Sequence, residues 1–403
     1  MCAAALVLSS GACEKDSNLS IPAPPPAGGD EPGGSGGGGE EPGGDDAVLC
    51  TDIGQKPVVL AYYTENSPAL PDVTLLTHIN YAHGRFVNPT TGDGGIWIDK
   101  TDLMKNVLAL KSKNPKLKVM LMVGGWGMRA DGFSEMAKDP AKRTEFCNSL
   151  KDHMDTYGLD GVDIDWEYPT YSAEGTGADP SDKENFNLVL KELRATIGQS
   201  KIISFASSAS AKYVDWPTAI KYIDYVNVMT YDMGAAPNGH NSPLYRSTLF
   251  AHRSCDESIQ AHLEKGIPLN RMNLGVPFYG KSEKETDPAK RLTPLVYKYE
   301  VNYNEMEKVL AGTYHYSKSE YNSAGYNIRK WDPIARVPYL VDGVGHVMLS
   351  YDDAESVDYK GKYAIGKGLL GAMFWEYRHD DDNQTLLKAL VKSMYGKESV
   401  LDE

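Results

Sequence analysis

The run DGVDIDWE over residues 160–167 sets four carboxylates within eight positions. Side chains on an extended strand alternate faces, so Asp163, Asp165 and Glu167 share one face while Val162, Ile164 and Trp166 share the other. Neighbouring carboxylates on that face stand roughly 6.6 Å apart at Cα, twice the rise of a strand, so Asp165 can reach either neighbour by rotating its side chain. Like charges at that spacing raise the pKa of at least one group. Glu167, the last of the row, is then poised to hold a proton at neutral pH and to donate it as a general acid. The bland alternative is an acidic strand end that binds a cation or solvent. Against it stands the cost of three carboxylates turned toward a protein interior, which packing alone gives no reason to accept.

Such a row needs a strand with a buried inner face. Short apolar runs recur at 58–63, 78–83, 118–123, 161–166, 202–207, 225–230, 273–278 and 371–375. Helical patterns fall between most of them, over Thr101–Lys113, Pro140–Tyr157, Asp182–Ile197, Val214–Tyr222 and Cys255–Lys265, and a last one over Asp382–Met394 follows the eighth run. Eight β-runs interleaved with helices predict a (β/α)8 TIM barrel over residues 57–280 and 348–403, in preference to a doubly wound sheet, which would use fewer strands. The carboxylate row then ends at the C-terminal mouth of the barrel, where this architecture carries its chemistry. Residues 281–347 are too many for one connecting helix and are rich in tyrosine and β-prone runs, which predicts an inserted small α+β subdomain between strands seven and eight.

At these residues the sequence resembles a known family. DGVDIDWEYP is similar to the DxxDxDxE signature of glycoside hydrolase family 18, the chitinases. KVMLMVGGW (118–126) resembles the third-strand SxGG segment, with Met122 where a serine is usual and Gly124 and Gly125 as its glycines. MTYD (229–232) resembles the sixth-strand motif and LGVPFYG (274–280) the seventh. SYDDAESVDYKGKYA (350–364) and GAMFWEY (371–377) resemble the closing segment and its tryptophan. The resemblance spans about residues 57–395, and the 281–347 insert corresponds to the chitinase insertion domain of one subfamily.

The resemblance implies a retaining, substrate-assisted hydrolysis of β-1,4-linked N-acetylglucosamine chains. Glu167 would protonate the glycosidic oxygen, and the substrate's own 2-acetamido carbonyl would attack C1, one of the exceptions to the two-carboxylate scheme. Asp165 would orient the acetamide N–H, Asp163 would share a proton with Asp165, and Tyr231 would hold the acetamide oxygen under the anomeric carbon. Asp160 would support the strand and its turn. Sugars present an apolar C–H face, so aromatic residues suit binding. Trp375 resembles the floor of the subsite for the attacked sugar. Trp126, Tyr168, Tyr63, Asp232 and Met229 resemble cleft residues, whereas Trp97, Trp216 and Trp331 fit cleft wall, surface or core equally. Met122 removes one hydrogen bond that a hydroxyl could give Asp163. Glu376, beside Trp375, reads as a loop acid facing solvent. Two other activities stand beside chitin hydrolysis: cleavage of the N-glycan core as an endo-β-N-acetylglucosaminidase, and sugar binding without turnover. Glu167 argues against the last, because non-catalytic relatives commonly lose that acid. The resemblance implies no cofactor.

The ends of the chain and its charge bear on location. The first thirteen residues, MCAAALVLSSGAC, are small and apolar and end in a cysteine, like the tail of a bacterial lipoprotein signal; an ordinary secretory signal is the alternative. Glu14 and Asp16 resemble the acidic export patch of Bacteroidetes surface lipoproteins. Residues 14–56 are rich in Pro, Gly and acid and predict a disordered tether, so the chain reads as a lipoprotein held by lipid on Cys13 at the cell surface or outer membrane. Lys and Arg number 41 against 55 Asp and Glu, a net charge of −14, which excludes a general nucleic-acid binder. Residues 1–56 hold nine acids and two lysines, half of that net charge, so the folded part is only moderately acidic. Cys50, Cys147 and Cys255 form an odd set without metal-ligand spacing, open to one disulfide or to free thiols, and no zinc site is expected. The expected partner is a carbohydrate, met by a monomer.

Overall fold

A computed structural model describes residues 49–172, 176–282, 299–315, 323, 325 and 327–401. Cys13, the leader and the tether up to residue 48 lie outside the described residues. Eight parallel strands form the central barrel: β1 (Val58–Thr64), β2 (His78–Asn88), β3 (Lys118–Gly125), β4 (Gly161–Trp166), β5 (Ile202–Ser208), β6 (Tyr225–Met229), β7 (Met272–Pro277) and β8 (Gly371–Trp375). Each pairs with the next, and β8 pairs with β1, so the sheet closes. Closure buries both faces of every strand, which is why β1 reads as an unbroken apolar run. Val59, Ala61 and Tyr63 pack outward against the helices, while Val58, Leu60 and Tyr62 pack inside the barrel. On β4 the outward residues are Val162, Ile164 and Trp166, as alternation requires.

The helices follow the sequence patterns closely where capping is strong. Pro140–Tyr157 starts on Asp139, whose carboxylate accepts the Ala141 and Lys142 N–H groups, and stops at Gly158 in the left-handed conformation. Cys255–Glu264 starts with a capping box between Ser254 and Glu257. Elsewhere the bounds move. The Val214–Tyr222 pattern yields only Trp216–Ala219, and Thr101–Lys113 breaks into Thr101–Ala109 and a 3-10 turn over Leu110–Ser112. The last helix begins at Thr385 rather than Asp382, because Asp380 and Asp381 spend their carboxylates on the N–H groups of Thr385, Leu386 and Leu387 and so cap it from outside. Phe133–Lys138, Met306–Leu310, and Ala354–Lys367, which Asp353 caps, are helices without a helical pattern named from the sequence. Asp93–Ile98, short and glycine-rich, pairs antiparallel with the end of β2.

Between β7 and β8 lies a five-stranded antiparallel sheet made of Tyr279–Ser282, Tyr299–Asn302, Ile328–Asp332, Val337–Val341 and Val347–Ser350. Val301, Met306, Val309, Leu340, Leu349 and Tyr351 form its own small core. This sheet reaches past the expected 281–347 at both ends, since its first strand follows β7 after a single residue. Cys50, Cys147 and Cys255 are free thiols, the latter two buried.

Candidate active site

The row on β4 enters a cleft of about 750 Å3 at the C-terminal mouth of the barrel, lined by His83, Trp126, Asp165, Glu167, Tyr231 and Trp375 among others. Asp163 sits deepest and is fully buried. One of its oxygens accepts the Tyr62 hydroxyl at 2.8 Å, and the other accepts the Ser204 hydroxyl and, at 3.0 Å, the Asn227 amide. Burial outweighs these hydrogen bonds and raises its pKa to about 6. Both oxygens are thus engaged by neutral donors, and among the described residues no hydrogen bond joins Asp163 to Asp165. A hydroxyl and amide clamp fixes Asp163 in place.

Asp165 is 4 % exposed, and its Oδ1 has no hydrogen-bond partner. Burial, then the carboxyl groups of Glu167 and Asp163, push its pKa well above the ordinary carboxylate range, against a smaller pull from Arg129. Glu167 is raised to about 7, chiefly by burial, with Asp232 adding to the rise and Tyr168 and Lys281 opposing it. The pair therefore keeps a proton well above the pH at which a solvated carboxyl loses its own. The strands make this crowding possible through glycine. Gly124 faces Asp165 in register with φ of +102°, and a Cβ there would lie 2.2 Å from the Asp165 carbonyl oxygen. Gly125 adopts a similar backbone beside it, at φ +124°. Met122 faces Asp163 in register and is buried inside the barrel. It deprives Asp163 of nothing, since Tyr62, Ser204 and Asn227 already satisfy that carboxyl; the oxygen left without a donor is on Asp165.

Across the cleft, Tyr231 is 9 % exposed, and among the described residues its hydroxyl meets only the Met373 sulfur, at 3.9 Å. A thioether is a weak acceptor, so this hydroxyl is available to a better one. Met229 lines the cleft two residues before it. Asp232 adopts a left-handed backbone, accepts the Tyr279 hydroxyl at 2.8 Å and pairs with Lys281 at 2.6 Å. Trp375 closes β8 with its ring 5.5 Å from that of Tyr62 and 6.5 Å from that of His83. On the far side, Tyr168 stacks on Tyr213 at 4.5 Å between ring centres and meets the exposed Trp126 edge-on at 6.4 Å.

Two expected positions differ. Tyr63 is no cleft residue: it is wholly buried on the outer face of β1, its hydroxyl donates to the Ala69 carbonyl, and its ring packs against Tyr81 and Tyr377. The inward neighbour Tyr62 reaches the carboxylates instead. Glu376 does not face solvent: it is 1 % exposed and held by Arg378 at 2.6 Å and His379 at 3.1 Å. Those partners keep its pKa below the ordinary value despite burial. Trp216 belongs to the outer core and Trp97 to the exposed hairpin. Asp160 lies at the opposite end of β4, accepting the Val119 N–H at 2.7 Å and pairing with Lys111 at 2.6 Å, a purely structural setting. The sequence reading omits Tyr62, Ser204 and Asn227, although polar residues inside apolar β-runs are a usable signal. It also omits the cleft residues His83 on β2, Arg129 in a 3-10 turn, and Lys212, Tyr213 and Arg253 from loops.

An acid that must be protonated sets a sign for pH dependence. With Glu167 raised to about 7, the competent form dominates below that pH and disappears above it. Turnover at low substrate is expected to fall about tenfold per pH unit once the pH is well above 7. A pH–rate profile of kcat/KM checks this, and a profile flat to pH 9 would contradict it.

The family model for Glycosyl hydrolases family 18 matches residues 58–380. Chitinase A1 from Niallia circulans is 34% identical over 84% of the chain, and chitinase B from Serratia marcescens 28% identical over 78%. The chain spans 57% of the length of the first and 75% of the second. Among solved structures, a glycoside hydrolase family 18 N-acetylglucosaminidase from Paenibacillus barengoltzii matches with a TM-score of 0.70 and 32% identity, covering 83% of this chain and 99% of that one. The Ostrinia furnacalis Group IV chitinase matches with a TM-score of 0.69 and 28% identity, covering 84% and 99%.

Proposed function

The chain belongs to glycosyl hydrolases family 18, and from that premise we propose that it hydrolyses β-1,4-linked N-acetylglucosamine polymers or oligomers with retention. The observation that carries the reading is Glu167, its pKa raised to about 7, beside a buried Asp165 whose Oδ1 is unpartnered among the described residues. Glu167 protonates the glycosidic oxygen as the bond breaks. The substrate's acetamide oxygen attacks C1, so no second enzyme carboxylate has to reach the anomeric carbon. The free Asp165 oxygen accepts the acetamide N–H and steadies the positive charge that develops on the acetamide. The Tyr231 hydroxyl donates to the acetamide oxygen and aims it. Glu167, now ionised, takes a proton from the water that opens the intermediate. Trp375, Met229 and Tyr168 wall the sugar, and Asp232, with its Lys281 partner, offers it polar contacts. The sheet inserted between β7 and β8 supports placing the chain in the subfamily with a chitinase insertion domain. Digestion of chito-oligosaccharides beside a high-mannose glycoprotein tests the substrate: release of N-acetylglucosamine oligomers is expected, and exclusive release of N-glycans would sink the chitinase reading.

The enzyme acts outside the cytoplasm as a monomer, held at the cell surface by a lipid on Cys13. The support is the apolar run that ends in that cysteine and the 27-residue Pro/Gly/acid stretch Ser20–Asp46 after it. Cys13→Ala is expected to move the protein from the membrane to the soluble fraction, and a variant that stays as firmly bound as the parent would refute the anchor.

A further inference from the structure

Three cations line the cleft without a salt bridge among the described residues. Arg129, Lys212 and Arg253 all border it, and among the described residues none has an acid oxygen within salt-bridge distance. On the other side of the cleft the balance is closed: Lys281 pairs with Asp232 at 2.6 Å and lies 3.9 Å from Glu300. Lys212 sits on an aromatic shelf. Tyr168 stacks on Tyr213, Trp126 abuts Tyr168, and the Lys212 ammonium lies 4.7 Å from the centre of the Tyr213 ring. The ring holds the ammonium by a cation–π contact, which positions the charge without cancelling it. A sugar resting on this shelf presents its substituents to fixed positive charge, with low-dielectric aromatic walls that strengthen the field.

We propose that the cleft, with its shelf of Trp126, Tyr168 and Tyr213 and its cations Lys212, Arg253 and Arg129, selects N-acetylhexosamine chains that carry anionic substituents, carboxylate or sulfate. The proposal rests on the hydrolase reading above and adds to it the substrate's charge. Neutral chitin fills the shelf through its sugar faces alone; an anionic chain gains charge-assisted contacts at the same place. A deacetylated, cationic chain is repelled there.

The test compares soluble polymers with the same backbone and different substituents: neutral glycol chitin, carboxymethyl chitin and sulfated chitin. KM for reducing-end release by the full chain is expected to be roughly fivefold lower on at least one anionic polymer at low ionic strength, since exposed charge pairs of this kind are individually modest. The carboxymethyl and sulfated arms show which anion is favoured. The preference is expected to vanish in about 0.5 M salt, where the screening length falls to a few ångströms. Replacing Lys212→Gln and Arg253→Gln together should bring the ratio of KM values toward one; Arg129 is left in place because it also faces Asp165. Equal KM values at low salt, or a preference that survives the double replacement, would overturn the proposal. If no polymer is cut, the hydrolase reading fails on its own, and affinity electrophoresis of the Glu167→Gln variant through gels holding each polymer still reads the charge preference. Stronger retardation by an anionic polymer supports it, and equal retardation rejects it.

Discussion

Glu167→Gln is expected to lower kcat on chito-oligosaccharides by about 10³-fold or more, the upper range for removing a general acid, while oligosaccharide binding persists. Glutamine keeps the shape and the hydrogen-bonding reach of glutamate but has no proton to deliver to the leaving oxygen, and it cannot later activate water. The fold is expected to survive, and the sign of its pH dependence can be derived. A carboxyl whose folded pKa is raised, here to about 7 from an ordinary 4.5, contributes stability that is fully present below about 4.5. That contribution is lost as the pH rises through about 7, when an ionised Glu167 must sit in a buried, acidic surrounding. Glutamine never ionises, so the variant should unfold at higher urea concentration than the parent above pH 7 and at a similar one near pH 4. Turnover within tenfold of the parent would remove Glu167 from the acid role; a variant that binds no oligosaccharide would point to a wider structural loss.

Asp165→Asn is expected to lower kcat by about 10² to 10³-fold, through lost orientation and charge stabilisation and not through lost proton donation to the leaving group. The two oxygens of Asp165 sit where one neutral amide cannot replace them. The Oδ1 atom that the protein leaves without a partner is offered to the acetamide N–H, and an asparagine can turn a donor toward that N–H in its place. The loss should fall on kcat more than on KM. A second measurement separates this mechanism from one that uses an enzyme nucleophile. Fully deacetylated oligomers should resist the parent enzyme, because the attacking oxygen belongs to the acetamide, and a thiazoline mimic of the cyclised intermediate should inhibit it. The first product from N-acetylated oligomers should be the β-anomer. Efficient cleavage without the acetamide, or an inverted product, would exclude substrate assistance and require a separate carboxylate at the anomeric carbon.

The barrel and its row of acids are local facts, and the sequence carries them. Alternation on β4 makes Asp163, Asp165 and Glu167 share a face whatever surrounds them, and each of the eight β-runs is short and strongly apolar because closure buries both of its sides. Strong caps such as Asp139 and Ser254 likewise mark helix ends from a few neighbouring residues. The same double burial hides which residues of a strand look inward. In VVLAYYT both parities are apolar, so nothing local separates Tyr62, which holds Asp163, from Tyr63, which packs outside. Only the register of β1 between β2 and β8 decides it. Partners distant in the chain are equally closed to sequence. The Ser204 and Asn227 clamp on Asp163 comes from β5 and β6. The charge of the cleft belongs to this second kind. Lys212 and Arg253 are unremarkable residues in their own loops, and they become uncompensated because folding sets them at the same barrel mouth while their acidic neighbours in sequence point elsewhere.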